Sequence, residues 1–290
     1  MTVTGWDAGL LARGEEFLER WGLRRDGAPM GGRVAVVLPV VCGDGTRAAL
    51  KLQDIDDETV GEGLALRTWG GDGVVRLLDE DAATGTMLLE RLDGGRSLAA
   101  VPDVLEATGI LAGLLARVTA VAAPEGMRRL GDIVAGMVER LPPVLDSLAA
   151  EDDRRLLKDC AAAVREVAGE PGDRLLHWDL HFENVLAAER EPWLVIDPKP
   201  LAGDPCFELL PALWNRFEEG RLMRRFDLLT EALGVDRERA RAWTLGRVLQ
   251  NSLWRVEERE GEGEGEGERE GEGEGLDAEQ VAIARLLLGR

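Results

Sequence analysis

The fold is decided by the stretch LLHWDLHFENVL, residues 175–186, together with LVID, residues 194–197. Apolar residues typical of β-strands surround three polar side chains that can hold a metal ion or move a proton: Asp179, Asn184 and Asp197. A turn-like run, Glu-Arg-Glu-Pro, lies between the two parts. The sequence therefore predicts a short hairpin that carries these side chains.

This pattern suits phosphoryl transfer, in which the protein mainly aligns an acceptor hydroxyl with the γ-phosphate of a nucleotide. A carboxylate on a loop can accept the hydroxyl proton, whereas amide and carboxylate oxygens can hold Mg²⁺. Protein kinases place an Asp and an Asn five residues apart and deliver a second Asp from the next strand. Asp179, Asn184 and Asp197 have this order, so we expect Asp179 to be catalytic and the other two to bind Mg²⁺.

A purely structural interpretation is the alternative, because Asp and Asn at this spacing commonly serve as turn or cap residues. The only histidines of the chain, His177 and His181, fall in the same stretch. Together with the flanking strands and the later Asp197, they favour the catalytic interpretation.

The stretch resembles the signature of the aminoglycoside phosphotransferases, which is similar to His-Gly-Asp-Leu-His-x-x-Asn followed by Ile-Asp. The phrase IDPKP at residues 196–200, with GDP at residues 203–205, resembles more narrowly the streptomycin 6-phosphotransferase and hydroxyurea-resistance kinase branch. Trp178 replaces the common glycine, which could alter acceptor access. No Phe-Gly follows Asp197, which argues against a protein-kinase activation segment.

The resemblance implies an α+β, two-lobed protein-kinase-like fold. Residues 1–92 would form an N-lobe with an antiparallel sheet and helices, and residues 93–290 a mainly helical C-lobe with the catalytic hairpin. It also implies ATP and Mg²⁺ as cofactors, and a streptomycin-like aminoglycoside as the acceptor whose phosphorylation confers resistance.

Several residues on the acceptor side are implied by the same resemblance: His181, Asp204, Glu208, Trp214 and Asn215. Carboxylates and an aromatic ring would suit a sugar that bears guanidinium or ammonium groups. Asp204 as a helix cap and Trp214 as a core residue are the structural alternatives.

Lys51, in the predicted strand over residues 47–53, is a further candidate for the nucleotide site. An ammonium group between apolar neighbours can contact the α- and β-phosphates when a carboxylate holds it in place. Glu62, in a predicted helix over residues 56–69, is the candidate carboxylate, and Glu58 is its rival because the helix phase is open. A lysine that extends from an edge strand to solvent is the structural alternative.

Two backbone segments are expected to contact the nucleotide as well. Gly31 and Gly32 are the candidate phosphate loop, although the kinase glycine pattern is absent. Glu90, Arg91 and Leu92 form the expected hinge, in which backbone groups of Glu90 and Leu92 would pair with the adenine edge.

Periodicity and turn signals predict the remaining elements. Predicted helices cover residues 5–21, 103–121, 130–149 with an interruption at Pro142-Pro143, 152–167, 204–219, 222–233, 240–256 and 276–288. Predicted strands cover residues 23–30, 34–42, 47–53, 74–79 and 86–92.

Composition limits the class of protein. The 290 residues suffice for a sizeable core, and 45% apolar residues are typical of a globular protein. Neither a run of about 18 apolar residues nor a leader-like N-terminus is present, so we expect a cytoplasmic protein. Three widely spaced cysteines, Cys42, Cys160 and Cys206, indicate neither a disulfide framework nor a zinc site.

The net charge of −20, with a pI near 4.6, argues against nucleic acid and anionic membranes as partners. Residues 257–275 contribute −8 through ten Glu and two Arg, which leaves −12 elsewhere. Because Gly and Glu nearly alternate there, we expect a disordered insertion. The acidic surface suits a cationic small-molecule acceptor, although solubility explains it equally well. We expect a monomer.

Two other functions stay open at this point. One keeps the chemistry but uses a metabolic alcohol or another antibiotic as acceptor. The other is a kinase-fold protein that binds nucleotide or ligand without turnover, which the complete set of catalytic, metal-binding and strand-lysine candidates argues against.

Overall fold

The computed structural model describes residues 7–31, 34–262 and 275–290. The helices are α1 (Ala8–Arg20), α2 (Glu62–Trp69), α3 (Val104–Thr119), α4 (Leu130–Ser147), α5 (Glu151–Val167), α6 (Leu209–Trp214), α7 (Leu222–Leu233), α8 (Arg237–Glu262) and α9 (Ala278–Leu287). The strands are β1 (Arg24–Arg25), β2 (Met30–Gly31), β3 (Ala35–Val41), β4 (Arg47–Gln53), β5 (Leu77–Asp81), β6 (Thr86–Glu90), β7 (Asp93–Ser97), β8 (Arg174–Leu176), β9 (Val185–Ala187), β10 (Trp193–Val195) and β11 (Leu201–Gly203).

The chain divides into two compact units. The first consists of Met1–Ala100 with Glu183–Pro200, and the second of Val101–Phe182 with Leu201–Arg290. The first unit therefore includes the β9–β10 hairpin and β7, which lie beyond residue 92. The lobe division at residue 92 stays a prediction.

An antiparallel sheet forms the centre of the first unit, with the order β1-β3-β4-β6-β5 and with β2 also paired to β3. Alternate residues of β3 and β4 point to opposite faces. One face buries Val36, Leu38, Leu50 and Leu52 against α1, and burial of such a side chain contributes about 1.5–3 kcal/mol. Lys51 lies on the other face.

A glycine permits α1 to approach this sheet closely. A Cβ atom on Gly14 would lie 2.8 Å from Leu38 Cδ1 and 3.0 Å from Leu52 Cδ1. The helix can therefore bury Phe17 and Leu18 directly on the sheet.

The hairpin predicted from the motif is present. Strands β9 and β10 pair antiparallel, with Trp193 opposite Ala187 and Val195 opposite Val185. Val195 is also tied to residues earlier in the same unit, because its amide donates to Gly73 O at 3.0 Å and its carbonyl accepts from Val75 N at 2.8 Å.

Where the structure describes it, the second unit is helical apart from the β8–β11 pair. Helix α8 packs along α5, and α3 packs on α7. At the α5–α8 contact a Cβ on Gly246 would lie 2.7 Å from Val164 Cγ2, so glycine permits the close approach. The buried residues Leu157 and Trp243 belong to this core.

Among the predicted elements whose boundaries differ, three have a clear local cause. The predicted strand 23–30 is two short strands, because Gly27 has φ +151° and Pro29 lacks an amide donor. The predicted helix 56–69 begins only at Glu62, since the Asp56 side chain accepts from the amides of residues 58 and 59 and forms a turn. The predicted helix 204–219 is a 3-10 turn followed by α6, which ends before Arg216 at φ +52°.

Two other predictions are corrected. Pro142 and Pro143 do not interrupt α4, because proline already has a helical φ and the flanking Leu141 and Val144 are buried. The predicted disorder of residues 257–275 is wrong for 257–262, which continue α8. Arg140 Nη1 donates to Glu257 Oε2 at 2.9 Å and anchors this extension. Residues 263–274 lie outside the described residues.

Strands β7 and β11 have no counterpart among the predicted elements. In the described ranges, no helix is both long and apolar enough to cross a membrane. The three cysteines are free thiols.

Candidate active site

Lys51 forms a buried ion pair with Glu62. Its Nζ lies 2.7 Å from Oε1 and 2.8 Å from Oε2 of Glu62, and the two side chains are 5% and 2% exposed. The rival Glu58 instead contacts Lys199 at 3.3 Å on the surface. The first helical turn of α2 therefore supplies the carboxylate that faces Lys51.

Asp197 lies on the other side of the same ammonium group. Lys51 Nζ donates to Asp197 Oδ1 at 2.5 Å, while 46% of the Asp197 side chain is exposed. Burial alone would lower the pKa of Lys51, but the two carboxylates outweigh burial and raise that pKa. Burial raises the pKa of Glu62 in spite of Lys51. Opposite charges hold the cluster together, with Lys51 and Glu62 buried and Asp197 open to solvent.

A cavity of about 470 Å³ opens beside this cluster, within the size range of small-molecule sites. Its walls are mostly apolar and include Val37, Leu89, Leu186 and Ile196. Lys51, Asn184 and Asp197 line it as well. An aromatic base can lie between such walls with its phosphates toward the ammonium group, so the cavity fits a nucleotide.

The expected hinge residues divide into two groups. Glu90 and Leu92 line the cavity. Arg91 does not, because its guanidinium turns back to the sheet and donates to Ala48 O at 2.9 Å. The Glu90 carboxylate is also used elsewhere, since it accepts from Arg190 Nη2 at 2.8 Å and from Arg76 N at 2.7 Å. The side chains of Arg91 and Glu90 are therefore engaged elsewhere, and the backbone groups of Glu90 and Leu92 stay the candidates for adenine.

Gly31 lines the cavity and requires the absence of a side chain. Its φ is +111°, and a Cβ atom there would clash with the carbonyl oxygen of Ala35. Glycine is the residue that tolerates this backbone. Gly32, the other candidate of the phosphate loop, lies outside the described residues.

Asn184 and Asp197 come to the same cavity from the two ends of the hairpin. The amide of Ile196 donates to Asn184 O at 2.9 Å, which holds the two ends together. Amide and carboxylate oxygens are ligands that Mg²⁺ accepts, so this pair fits the ion expected from the sequence.

The Asp179 loop belongs to the second unit and follows β8. Trp178 has φ +72°, an unusual value for a bulky residue. Its amide donates to Glu208 Oε1 at 2.7 Å, and Phe182 N donates to Asn215 Oδ1 at 3.2 Å. Asp179 N contacts His177 Nδ1 at 3.3 Å. Two side chains from beyond residue 200 thus fix the backbone on both sides of Asp179.

The Trp178 side chain lies in the core of the second unit and is 2% exposed. The Arg247 guanidinium lies 3.8 Å from its ring centroid, and the Phe207 ring lies 5.4 Å away. The replacement of glycine by tryptophan therefore adds core packing, and its expected effect on acceptor access finds no support in this burial.

Glu208 is fully buried, and its two carboxylate oxygens differ in their hydrogen bonds. Among the described residues its Oε2 makes no hydrogen bond, while Oε1 accepts from Trp178. Burial raises the pKa of Glu208 to about 7, against the lowering effects of the Trp178 amide and Arg247. This carboxyl group can therefore change its protonation state near neutral pH.

The other acceptor-side candidates differ in exposure. Asp204 is a cap, as its structural alternative predicted: it accepts from Cys206 N at 2.9 Å and from Arg239 Nε at 2.6 Å. Trp214 is 38% exposed rather than a core residue, and His181 is partly exposed. Acceptor contacts by Glu208 and Asn215 stay predictions, since the contacts found are to the loop backbone.

Sequence reasoning missed Gln53, Arg190 and Arg247. Gln53 could have been found, because residues two apart on a strand share a face and Lys51 is its neighbour. Arg190 contacts a residue 100 positions away, and no local pattern indicates such a contact.

A family model described as aminoglycoside/hydroxyurea antibiotic resistance kinase matches residues 20–259. Hydroxyurea phosphotransferase of Kitasatospora aureofaciens is 59% identical over 284 residues, covering 97% of this chain and 80% of that protein. Streptomycin 6-kinase of Streptomyces griseus is 58% identical over 261 residues, covering 87% of this chain and 85% of that protein.

A crystal structure of a thermostable mutant of aminoglycoside phosphotransferase APH(4)-Ia, in a ternary complex with ADP and hygromycin B, has the same fold. The TM-score is 0.64 at 13% identity, covering 95% of this chain and 97% of that chain. The predicted α+β, protein-kinase-like fold is thereby confirmed. The chain belongs to the aminoglycoside/hydroxyurea antibiotic resistance kinases and is a phosphotransferase that acts on a small-molecule hydroxyl, as the sequence predicted.

Proposed function

We propose that this kinase transfers the γ-phosphate of ATP to a hydroxyl of a streptomycin-like aminoglycoside and thereby confers resistance. The observation that carries the proposal is the Lys51–Glu62 ion pair beside a mostly apolar cavity, with Asn184 and Asp197 on its wall. Such a set of charges, oxygen ligands and apolar walls suits a nucleotide and its metal ion.

Each residue has a role in this proposal. Lys51 binds the α- and β-phosphates, and Glu62 fixes the lysine. Asn184 and Asp197 would hold Mg²⁺, which neutralises the charge of the transferred phosphoryl group when bound. Asp179 orients the acceptor hydroxyl and accepts its proton. Gly31 lets the backbone approach the phosphates, and backbone groups of the hinge bind adenine.

The acceptor is the part of the proposal that depends on the relatives. Streptomycin 6-kinase of Streptomyces griseus supports an aminoglycoside, and the net charge of −20 suits a cationic one. Hydroxyurea is a second candidate, because hydroxyurea phosphotransferase of Kitasatospora aureofaciens matches 97% of this chain. A metabolic alcohol is the remaining enzymatic alternative.

The decisive experiment is ADP release coupled to an indicator reaction, with Mg²⁺-ATP and each acceptor offered separately. We expect turnover with streptomycin, with product mass increased by one phosphate. Turnover with hydroxyurea alone would assign the second candidate. Nucleotide binding without turnover on any acceptor would support the silent binding protein and contradict the proposal.

We further propose a cytoplasmic monomer that binds neither nucleic acid nor membranes. The acidic net charge argues against nucleic acid and anionic membranes, and the free cysteines suit a reducing compartment. Sedimentation of the purified protein tests the oligomeric state, and a dimer would contradict the monomer.

A further inference from the structure

We propose that Gln53 is a positioning residue of the nucleotide site, whose side-chain amide fixes the Glu62 carboxylate that in turn holds Lys51. The inference rests on the proposed function, because it assigns a task within the same nucleotide site. It adds a third side chain to the lysine–glutamate pair.

The contacts place Gln53 directly against the Glu62 carboxylate. Its Nε2 donates to Glu62 Oε2 at 2.6 Å, and Gln53 is 3% exposed. Lys51 already donates to both oxygens of Glu62. Because Gln53 donates from a separate strand position, its amide limits rotation of the carboxylate plane about the last side-chain bond.

The strand geometry explains why residue 53 can do this. Lys51 and Gln53 are two positions apart on β4, so their side chains leave the same face of the sheet. Glu62 begins α2 and faces both. A donor at position 52 would point to the opposite face, where Leu52 packs on α1.

The backbone of Gln53 is held independently of its side chain. Arg13 Nη1 donates to Gln53 O at 2.9 Å and to Thr84 O at 3.0 Å, so α1 ties the end of β4 to the chain before β6. The end of the strand is therefore fixed without the amide group. Removal of that amide should change the orientation of Glu62 more than it changes the sheet.

A reoriented Glu62 would leave Lys51 with Asp197 as its main partner. The ammonium group would then be drawn toward a proposed metal ligand and away from the phosphates. The expected consequence is weaker nucleotide binding with little change in the affinity for the acceptor. A hydrogen bond to a charged group is typically strong enough for an effect of about tenfold.

The test measures the Kd for Mg²⁺-ATP by calorimetry in the parent, Gln53→Met, Glu62→Ala and the double variant. Methionine has the length of glutamine but no donor. We expect Gln53→Met to raise the Kd about tenfold in the parent, and by less than about twofold when Glu62 is already alanine. Arg20→Met, which removes an ion pair with Asp81 in the same unit and away from the lining of the cavity, is the control and should leave the Kd unchanged.

Steady-state kinetics and melting temperatures separate positioning from a general loss of structure. Gln53→Met should raise the KM for ATP but not for the acceptor. Gln53→Asn, which keeps the amide but is too short to reach Glu62, should behave in the same way and serves if the methionine variant does not fold. Equal changes in both KM values, or additive effects of the two substitutions on the Kd, would overturn the inference.

The failure of this inference is distinguishable from the failure of the proposed function. If the parent binds Mg²⁺-ATP and Gln53→Met binds it equally well, only the role of Gln53 is overturned. If the parent does not bind Mg²⁺-ATP, the proposed function is overturned, and the inference with it.

Discussion

The two compact units stabilise buried carboxylates in different ways. In the first unit, Glu62 is matched by the ammonium group of Lys51 at 2.7 Å. In the second, Glu208 accepts from a backbone amide at 2.7 Å and shares its surroundings with the stacked guanidinium of Arg247. The first arrangement fixes the Lys51 ammonium group, which can then contact phosphates. The second holds a loop, and burial raises the pKa of its carboxyl group to about 7.

The largest expected effect concerns the residue that the second arrangement positions. Asp179→Asn should lower kcat by about 10²–10⁴-fold, because general base catalysis contributes by this amount. The Kd for Mg²⁺-ATP should stay unchanged, since Asp179 has no proposed contact with the nucleotide. Normal turnover by this variant, measured by ADP release, would show that the loop is not the catalytic element.

The ion pair of the first unit can be broken by Lys51→Met. Loss of the ammonium group leaves Glu62 buried without its main partner, which should lower the free energy of unfolding by about 3–5 kcal/mol. Glu58→Gln is the matched control, because its pair with Lys199 is about one-third exposed and should contribute less than about 1 kcal/mol. Urea denaturation measures both, and similar losses would contradict the importance of burial.

Titration of Glu208 sharpens the contrast between the units. Its folded-state pKa of about 7 lies above the ordinary 4.5, so the native state keeps a proton that the unfolded state releases. This contribution to stability is therefore full below pH 4.5 and is lost as the pH rises through 7. The parent should lose about 3 kcal/mol more than Glu208→Gln between pH 4.5 and 8, on the order of the shift multiplied by 1.36 kcal/mol.

The measurement is urea unfolding of parent and variant at several pH values. In the difference between their free energies of unfolding, the contributions of all groups that titrate in both proteins cancel. Parallel pH profiles would show that Glu208 is ionised throughout.

The smallest effect is expected at the link between the hinge and the hairpin. Arg190→Met removes three hydrogen bonds to Glu90 and one to Val74 O, and should cost about 1–2 kcal/mol of unfolding free energy. Arg96→Met is the control, because its pair with Asp93 is long, 3.8 Å, and exposed. Thermal melts of both variants test this. Equal melting temperatures would show that Arg190 does not stabilise the link between the hinge and the hairpin.

The sequence was most informative where chemistry fixes the spacing. The sequence singled out Asp179, Asn184 and Asp197 because phosphoryl transfer requires such groups in that order, and the structure brings Asn184 and Asp197 to one cavity. It indicated Lys51 with either Glu62 or Glu58, and the structure pairs Lys51 with Glu62. The roles of these residues stay predictions. The motif around Asp179, Asn184 and Asp197 also predicted the β9–β10 hairpin.

Apart from Gln53, which a local spacing could have indicated, the missed strands and contacts depend on long-range pairing. Strands β7 and β11 have only five and three residues, and each depends on a partner far along the chain. The contacts of Glu208 and Asn215 with the Asp179 loop span about 30 residues. No local propensity encodes such contacts. The continuous α4 shows the opposite case, where tertiary packing overrides a local signal from two prolines.

Trp178 limits which substitutions its position tolerates. Its left-handed backbone costs about 1–2 kcal/mol for a residue with a Cβ, which glycine would relieve. The ring, however, lies between Arg247 and Phe207, and removal of a buried tryptophan typically costs about 3–5 kcal/mol. Trp178→Gly alone is therefore expected to lower the free energy of unfolding. Glycine at this position would need compensating packing beside Arg247 and Phe207 to keep the same stability.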